Sequence, residues 1–303
     1  MLPIIRLPKS LLLKLHAAAS SAIKPQNGRE IDFSNPAGEP ALVAAKSVSW
    51  RIFKNPIALF IGGVSAVILE LADPAVRSGV WTHSSFRVDP MGRLSRTGLA
   101  AMVTIYGARS VAEPMIAGIV RMHAKITGKT PAGIPFCAND APLLKWVHAT
   151  ASFSFAQAYS RYVEPLNRAD IGALYLEGVP ISRLYGAVDV PSTDTGMQAL
   201  FDSALESLEP SAIIFEFLRI MHDAPAFPAR LRWMQRMMVG AAVEVLPSPI
   251  RARLGLTAVY GLRRPEKLLV KLAGAFADRI VFTESPASQS CLRLGLPATF
   301  LYG

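Results

Sequence analysis

The fold class expected of this sequence is all-α, and three observations carry that expectation. Nearly every segment repeats its apolar residues with a period near 3.6, while convincing period-2 alternation is absent. Helix starts built from a capping side chain and a proline recur, at Asn55-Pro56, Asp89-Pro90 and Pro191-Ser-Thr193. Hydrophobic residues make up 51% of the 303 and charged residues 18%, at a mean hydropathy of +0.32, so a large helical core can be buried.

Residues 1–40 read as an N-terminal arm and loop, 41–283 as a single helical domain and 284–303 as an irregular tail. Within the arm, Arg6, Lys9 and Lys14 stand among leucines. The run Leu11–Leu13 is too short for a secretory core segment of roughly 7–15 residues, and the stretch reads as an amphipathic surface helix. Residues 25–40 are a breaker-rich loop, and a helix is expected over 41–53. Asn55-Pro56 opens the most apolar run, Ile57–Leu69. It falls short of the roughly 18–20 residues of a membrane span, so it predicts a buried core helix stopping near Asp73-Pro74. A short helix at 74–80 leads into a loop with His83. Asp89 then caps a helix that Gly107 ends, and Ser110 with Glu113, at capping-box spacing, opens the next. A loop follows at 128–141. Further helices are expected over 141–163, from Asn167 and Asp170 to 178–180, and over 194–208, 211–222, 227–246, 249–254 and 265–283. No internal repeat or low-complexity tract is present.

A net charge of +10 points to an anionic ligand or an anionic membrane surface. The basic residues are scattered without a recognisable motif, which argues against nucleic acid. The two cysteines, Cys137 and Cys291, form no CxxC pair and exclude a disulfide framework. A cytoplasmic protein is expected, with peripheral membrane contact as a variant.

One constellation stands out. On the helix begun by Asp89-Pro90, Arg93, Arg96 and Thr97 fall at i, i+3 and i+4 and share a face. On the next helix Ile116, Ile119, Val120 and His123 recur at helical spacing, which sets an imidazole on an apolar, inward side. Buried charge is costly unless paired. The partner is either internal, among Glu70, Asp73 and Asp89, or an anionic ligand. A haem would supply propionates for the arginines and a metal for the histidine.

The order His83-x-x-Phe86-x-x-Asp89-Pro90-x-x-Arg93-Leu94-x-x-Thr97, then Arg121-Met122-His123, then Asn139-Asp140 and Trp146-Val-His-Ala-Thr150, resembles the MpaB and latex-clearing-protein family of oxygenases. The later Leu246-Pro247-x-Pro249-x-Arg251-x-x-x-Gly255-Leu256 is similar to the end of the domain in its bacterial branch. The likeness spans roughly residues 50–260. It implies a globin-like helical core around haem b with additional helices, iron held by one histidine, and O2 used to split a C=C bond of an isoprenoid into carbonyl products. Carried over, Arg93 and Thr97 match the conserved Arg and Thr, and His123, 26 residues after Thr97, matches the proximal His. Rubber-cleaving members have Lys where this chain has Arg96.

Two further histidines are candidates: His148 as rival axial ligand or pocket-lining group, and His83 at the cofactor pocket. His16 and His222 have no such context and read as surface residues. Cys137 reads as a small buried hydrophobe, with a thiolate ligand as the rival. The expected partner is a hydrophobic small molecule or lipid lodged among walls such as Ile116, Ile119, Phe153 and Phe155. A non-catalytic haem or lipid carrier is the alternative. A diiron carboxylate oxidase is set aside, because Val120 and Lys145 stand where Glu-x-x-His pairs need glutamates.

Overall fold

The computed structural model describes residues 4–5, 31–83 and 85–302, without the side chain of His83. The N-terminal amphipathic segment and His16 lie outside the described residues. Among those described, helices dominate and the one sheet is a short antiparallel hairpin, so the all-α expectation holds.

Helix α1 (Val48–Phe53) is much shorter than the helix expected over 41–53. Ser47 caps it through Trp50 N, and the Glu177 carboxylate takes the N–H groups of Val48 and Ser49, which ends the helix at that point. Upstream, Ala41 forms a bridge with Ala108 instead.

Helix α2 (Pro56–Ala72) begins where Asn55 Oδ1 accepts from Ile57 N and Ala58 N. Five β-branched residues and two glycines give it poor helix propensity, costing roughly 0.5 kcal/mol per β-branched residue and 1 per glycine. Burial of Ile61, Ile68, Leu69 and Leu71, each contributing about 1.5–3 kcal/mol, outweighs that cost. The helix crosses α6 (Ala141–Tyr162) at Gly62, where an added Cβ would stand 2.5 Å from Phe155 Cδ1 and 3.0 Å from Phe155 Cα. No single helix among the described residues is long and apolar enough to cross a membrane.

After a 112° bend, Asp73 Oδ1 caps α3 (Pro74–His83) through Ala75 N and Val76 N. This helix runs past its expected end at 80, so His83 closes a helix rather than standing in a loop. Helix α4 (Pro90–Tyr106) is capped by Asp89 Oδ1 on Gly92 N and stops at Gly107, as expected.

The capping box expected at Ser110 does not form. Helix α5 (Arg109–His123) starts two residues earlier, with Ala108 as N-cap, and the Glu39 carboxylate accepts from both Ser110 N and Ser110 Oγ. Glu113, left without that role, pairs with Arg109 at 3.3 Å. The expected loop at 128–141 contains β1 (Thr127–Lys129) and β2 (Pro135–Cys137), with Gly128 opposite Phe136.

Helix α7 (Arg168–Leu184) opens on an Asn167–Asp170 capping box and continues through Pro180. Helices α8 (Asp194–Ala204), α9 (Ala212–Asp223), α10 (Arg232–Val245), α11 (Ser248–Arg253) and α12 (Arg264–Ala277) follow; α9 and α11 match expectation to a residue, whereas α8 and α12 stop short of 208 and 283 and α10 starts after 227. The tail expected to be irregular carries α13 (Pro286–Arg293), capped by Ser285. From its end the buried Arg293 guanidinium donates to the carbonyls of Phe33, Glu39 and Tyr106. Two apolar clusters form the core. One centres on α2, α6, α9 and α10; the other joins α1, α4, α13 and residues 31–45.

Candidate functional site

Arg93 on α4 lies close enough to Glu70 on α2, and to His123 at the end of α5, for its charge to act on each. Glu70 is the sole charged residue of α2. Burial lifts its carboxyl to about 7, and the neighbouring Arg93 pulls it back toward the ionised form. Arg93 in turn is lowered by burial, raised by Glu70 and lowered by Arg96.

The conformation of Arg93 is fixed from two sides. Its Nη1 donates to Thr97 Oγ1 at 2.7 Å, and its guanidinium lies 5.5 Å over the Phe86 ring. Its Nε is buried with no hydrogen-bond partner. Thr97 Oγ1 also donates to the Arg93 carbonyl at 3.0 Å, the back-bond common for threonine in helices.

His123 is half-buried, and its Nδ1 is buried with no partner. Burial first and Arg93 second lower its pKa, so the imidazole is neutral at neutral pH. The loop after β2 closes beneath this end of α5. Asn139 Nδ2 donates to the Val120 carbonyl at 3.0 Å while Asn139 Oδ1 is buried without a partner, and Cys137 Sγ lies 4.0 Å from the His123 carbonyl.

The other candidates sit differently. Arg96 is exposed; its Nη2 donates to Ser85 Oγ at 2.6 Å and its Nη1 approaches Asp89 at 3.7 Å. It belongs to the rim of the α4 start. His148 on α6 packs against Gly178 of α7, where an added Cβ would stand 2.9 Å from Nε2, and Ser152 Oγ is 3.4 Å from the same nitrogen. Burial pushes His148 down to about 4. His222 is half-buried rather than on the surface, and burial lowers its pKa. Phe153 packs on Phe201 in one core cluster and Phe155 on Phe53 in the other. Those two rings are therefore core rather than the walls of one cavity. Two open grooves of about 510 and 460 Å³ border α10 and α12, and neither includes Arg93, His123 or His148.

The arrangement brings a neutral imidazole, a held guanidinium and a carboxyl that titrates near neutrality into one neighbourhood. Among the described residues no three His, Cys, Asp or Glu side chains gather to hold a bare metal ion. A haem brings its own equatorial nitrogens and asks the protein for an axial side chain. Of the internal partners the sequence offers the arginines, Glu70 is the one whose charge acts on Arg93, and Asn139, known from the sequence only as part of a motif, joins the site beside α5. The signal for Glu70 was present, as one carboxylate in an otherwise uncharged helix.

The family model described as ER-bound oxygenase mpaB/B'/Rubber oxygenase, catalytic domain, matches residues 50–278, three quarters of the chain. No curated protein and no solved structure matches it.

Proposed function

The chain belongs to the mpaB/rubber oxygenase catalytic-domain family, and from that membership and the site geometry we propose that it is a haem b-dependent oxygenase. Its proposed substrate is an apolar, unsaturated, isoprenoid- or lipid-like molecule, with O2 used to cleave a C=C bond to carbonyl products. The observation that carries the reading is the pair of buried, partnerless nitrogens, His123 Nδ1 and Arg93 Nε, on adjoining helices. A site whose polar atoms lack protein partners fits a bound group that brings its own.

The residues present suit haem b, which when bound supplies the redox-active iron for O2 chemistry. His123 is the proposed axial ligand. Being neutral, it offers a ring lone pair at neutral pH without first losing a proton. Arg93, held by Thr97, supplies a fixed positive charge for a propionate carboxylate. Glu70, near its midpoint at neutral pH, can hold or release a proton at its carboxyl. Asn139 Oδ1 is a free acceptor beside the end of α5, suited to orient an imidazole N–H. His148 is the rival ligand.

An absorption spectrum of the purified protein tests the cofactor. A Soret band that His123→Ala abolishes and His148→Ala keeps supports the assignment; the opposite pattern moves the ligand to His148. Label from 18O2 in trapped carbonyl products of an unsaturated lipid supports the oxygenase. A haem spectrum without labelled product leaves a carrier.

A further inference from the structure

Helix α12 turns much of its apolar side outward. Leu268, Leu269, Leu272 and Phe276 are 58%, 45%, 58% and 45% exposed, and Trp233 on α10 is 51% exposed. One groove is lined by Met234, Leu269, Leu272 and Phe276, and the next by Trp233, Arg236, Val259 and Tyr260. Trp233 lines one groove and Met234 the other, so both grooves border α10, and the exposed side of α12 carries the apolar surface beside them. Single exposed leucines are ordinary; a grouped apolar surface of this kind marks a contact surface.

Cations edge this surface. Arg230, Arg232, Arg236, Arg263, Arg264 and Lys271 are exposed, and none forms an ion pair among the described residues. The nearby acids are engaged: Glu244 pairs with Lys267 at 2.9 Å, and Glu266 accepts from Arg263 N at 2.7 Å.

We propose that this face docks on an anionic membrane surface. Leu268, Leu272, Phe276 and Trp233 enter the headgroup–acyl boundary, and the cations meet lipid phosphates. Charge selects this occupant over the others. Residues 6–24 of the chain carry Arg6, Lys9, Lys14 and Lys24 and no acid, and a second copy of the face would bring the same cations. Either would set like charges together, whereas anionic lipid answers them.

Co-sedimentation of the full chain with vesicles tests this without reference to turnover. The chain binds vesicles of mixed phosphatidylcholine and phosphatidylglycerol, binds phosphatidylcholine alone weakly, and is released by salt. The paired change Leu272→Gln with Phe276→Gln weakens binding about tenfold or more. Arg232→Ser with Arg236→Ser weakens it about fivefold per cation at low salt. Because these side chains are exposed, thermal unfolding stays within a degree or two of the parent. Brominated lipid quenches tryptophan emission in the parent and less in Trp233→Phe. Binding unchanged by the paired α12 substitution overturns the proposal. So does equal binding to neutral vesicles, or loss of binding on Leu12→Gln with Leu13→Gln alone. A dimer in solution that the α12 substitutions dissociate assigns the face to a second copy and likewise overturns it.

Discussion

Arg93 and Thr97 hold each other by two hydrogen bonds of opposite sense. Arg93 Nη1 donates to Thr97 Oγ1 at 2.7 Å, and Thr97 Oγ1 donates to the Arg93 carbonyl at 3.0 Å. The hydroxyl thereby ties a half-buried guanidinium to its own backbone. A charged side chain pinned in this way meets an anionic group with less rotamer entropy left to lose.

Thr97→Val should therefore loosen Arg93 without removing its charge. A hydrogen bond to a charged group contributes about 1.5–3 kcal/mol, so haemin affinity should fall roughly 10- to 100-fold. Thr97→Ser should retain most of it. Titration of the apoprotein with haemin reads both, and equal loss in the serine variant would mean that the methyl group matters rather than the hydroxyl.

In the proposed haem protein, Arg96 should not ligate the iron. Its guanidinium bonds Ser85 and approaches Asp89, and a guanidinium, which stays protonated in proteins, has no lone pair to offer. The resting ferric protein is expected to be high-spin and to bind imidazole or cyanide quickly, with Arg96→Ala unchanged in both respects. A low-spin resting spectrum that vanishes only in Arg96→Ala would contradict this.

Glu70 and His148 set opposite limits on pH stability. The Glu70 carboxyl is raised from 4.5 to about 7, so its stabilising contribution is full below about 4.5 and is lost as pH rises through 7. Glu70→Gln should accordingly gain stability over the parent at pH 8, by about 1–3 kcal/mol. His148 is depressed from 6.5 to about 4, so its contribution is full above 6.5 and is lost as pH falls through 4. His148→Gln should flatten that acid limb, which amounts to at most about 3 kcal/mol. Denaturant unfolding from pH 4 to 8 separates the two, and parallel curves for parent and variants would refute the argument.

Gly62→Ala should destabilise the crossing of α2 and α6. The new methyl would meet Phe155 Cα at 3.0 Å, a backbone atom that cannot swing aside. Overpacking of this kind costs about 1–3 kcal/mol, more than the roughly 1 kcal/mol of helix propensity gained. A melting temperature several degrees below the parent is expected, while Gly63→Ala, which meets nothing within 4 Å, should match or exceed it.

Local signals were readable from sequence where capping is local. Asn55, Asp89 and Asn167 each cap the helix their spacing announces. The reading failed where a distant residue supplied the cap. Glu39 took the role expected of Ser110 and Glu113, and Glu177 fixed the start of α1, partners 71 and 129 residues away. Helix α13 escaped notice because it buries small and polar side chains, Ala287, Ser288, Ser290 and Cys291, which leave no apolar stripe. In the site, Arg93 with Thr97 was legible as an i, i+4 pair. The departure of Arg96 toward Ser85 was not, because it depends on how the preceding loop returns to the helix.

Arg293 makes the order of synthesis matter. Its guanidinium clasps the carbonyls of Phe33 and Glu39, which leave the ribosome some 250 residues before it does, together with that of Tyr106. Until Arg293 emerges, the buried carbonyls of Phe33 and Tyr106 and the part-buried carbonyl of Glu39 lack this donor, each at a cost of about 1–3 kcal/mol if sealed from water. A nascent chain halted before α13 can thus assemble α2 against α6 yet keep its early segment open, exposed to chaperones and proteases until α13 closes over it.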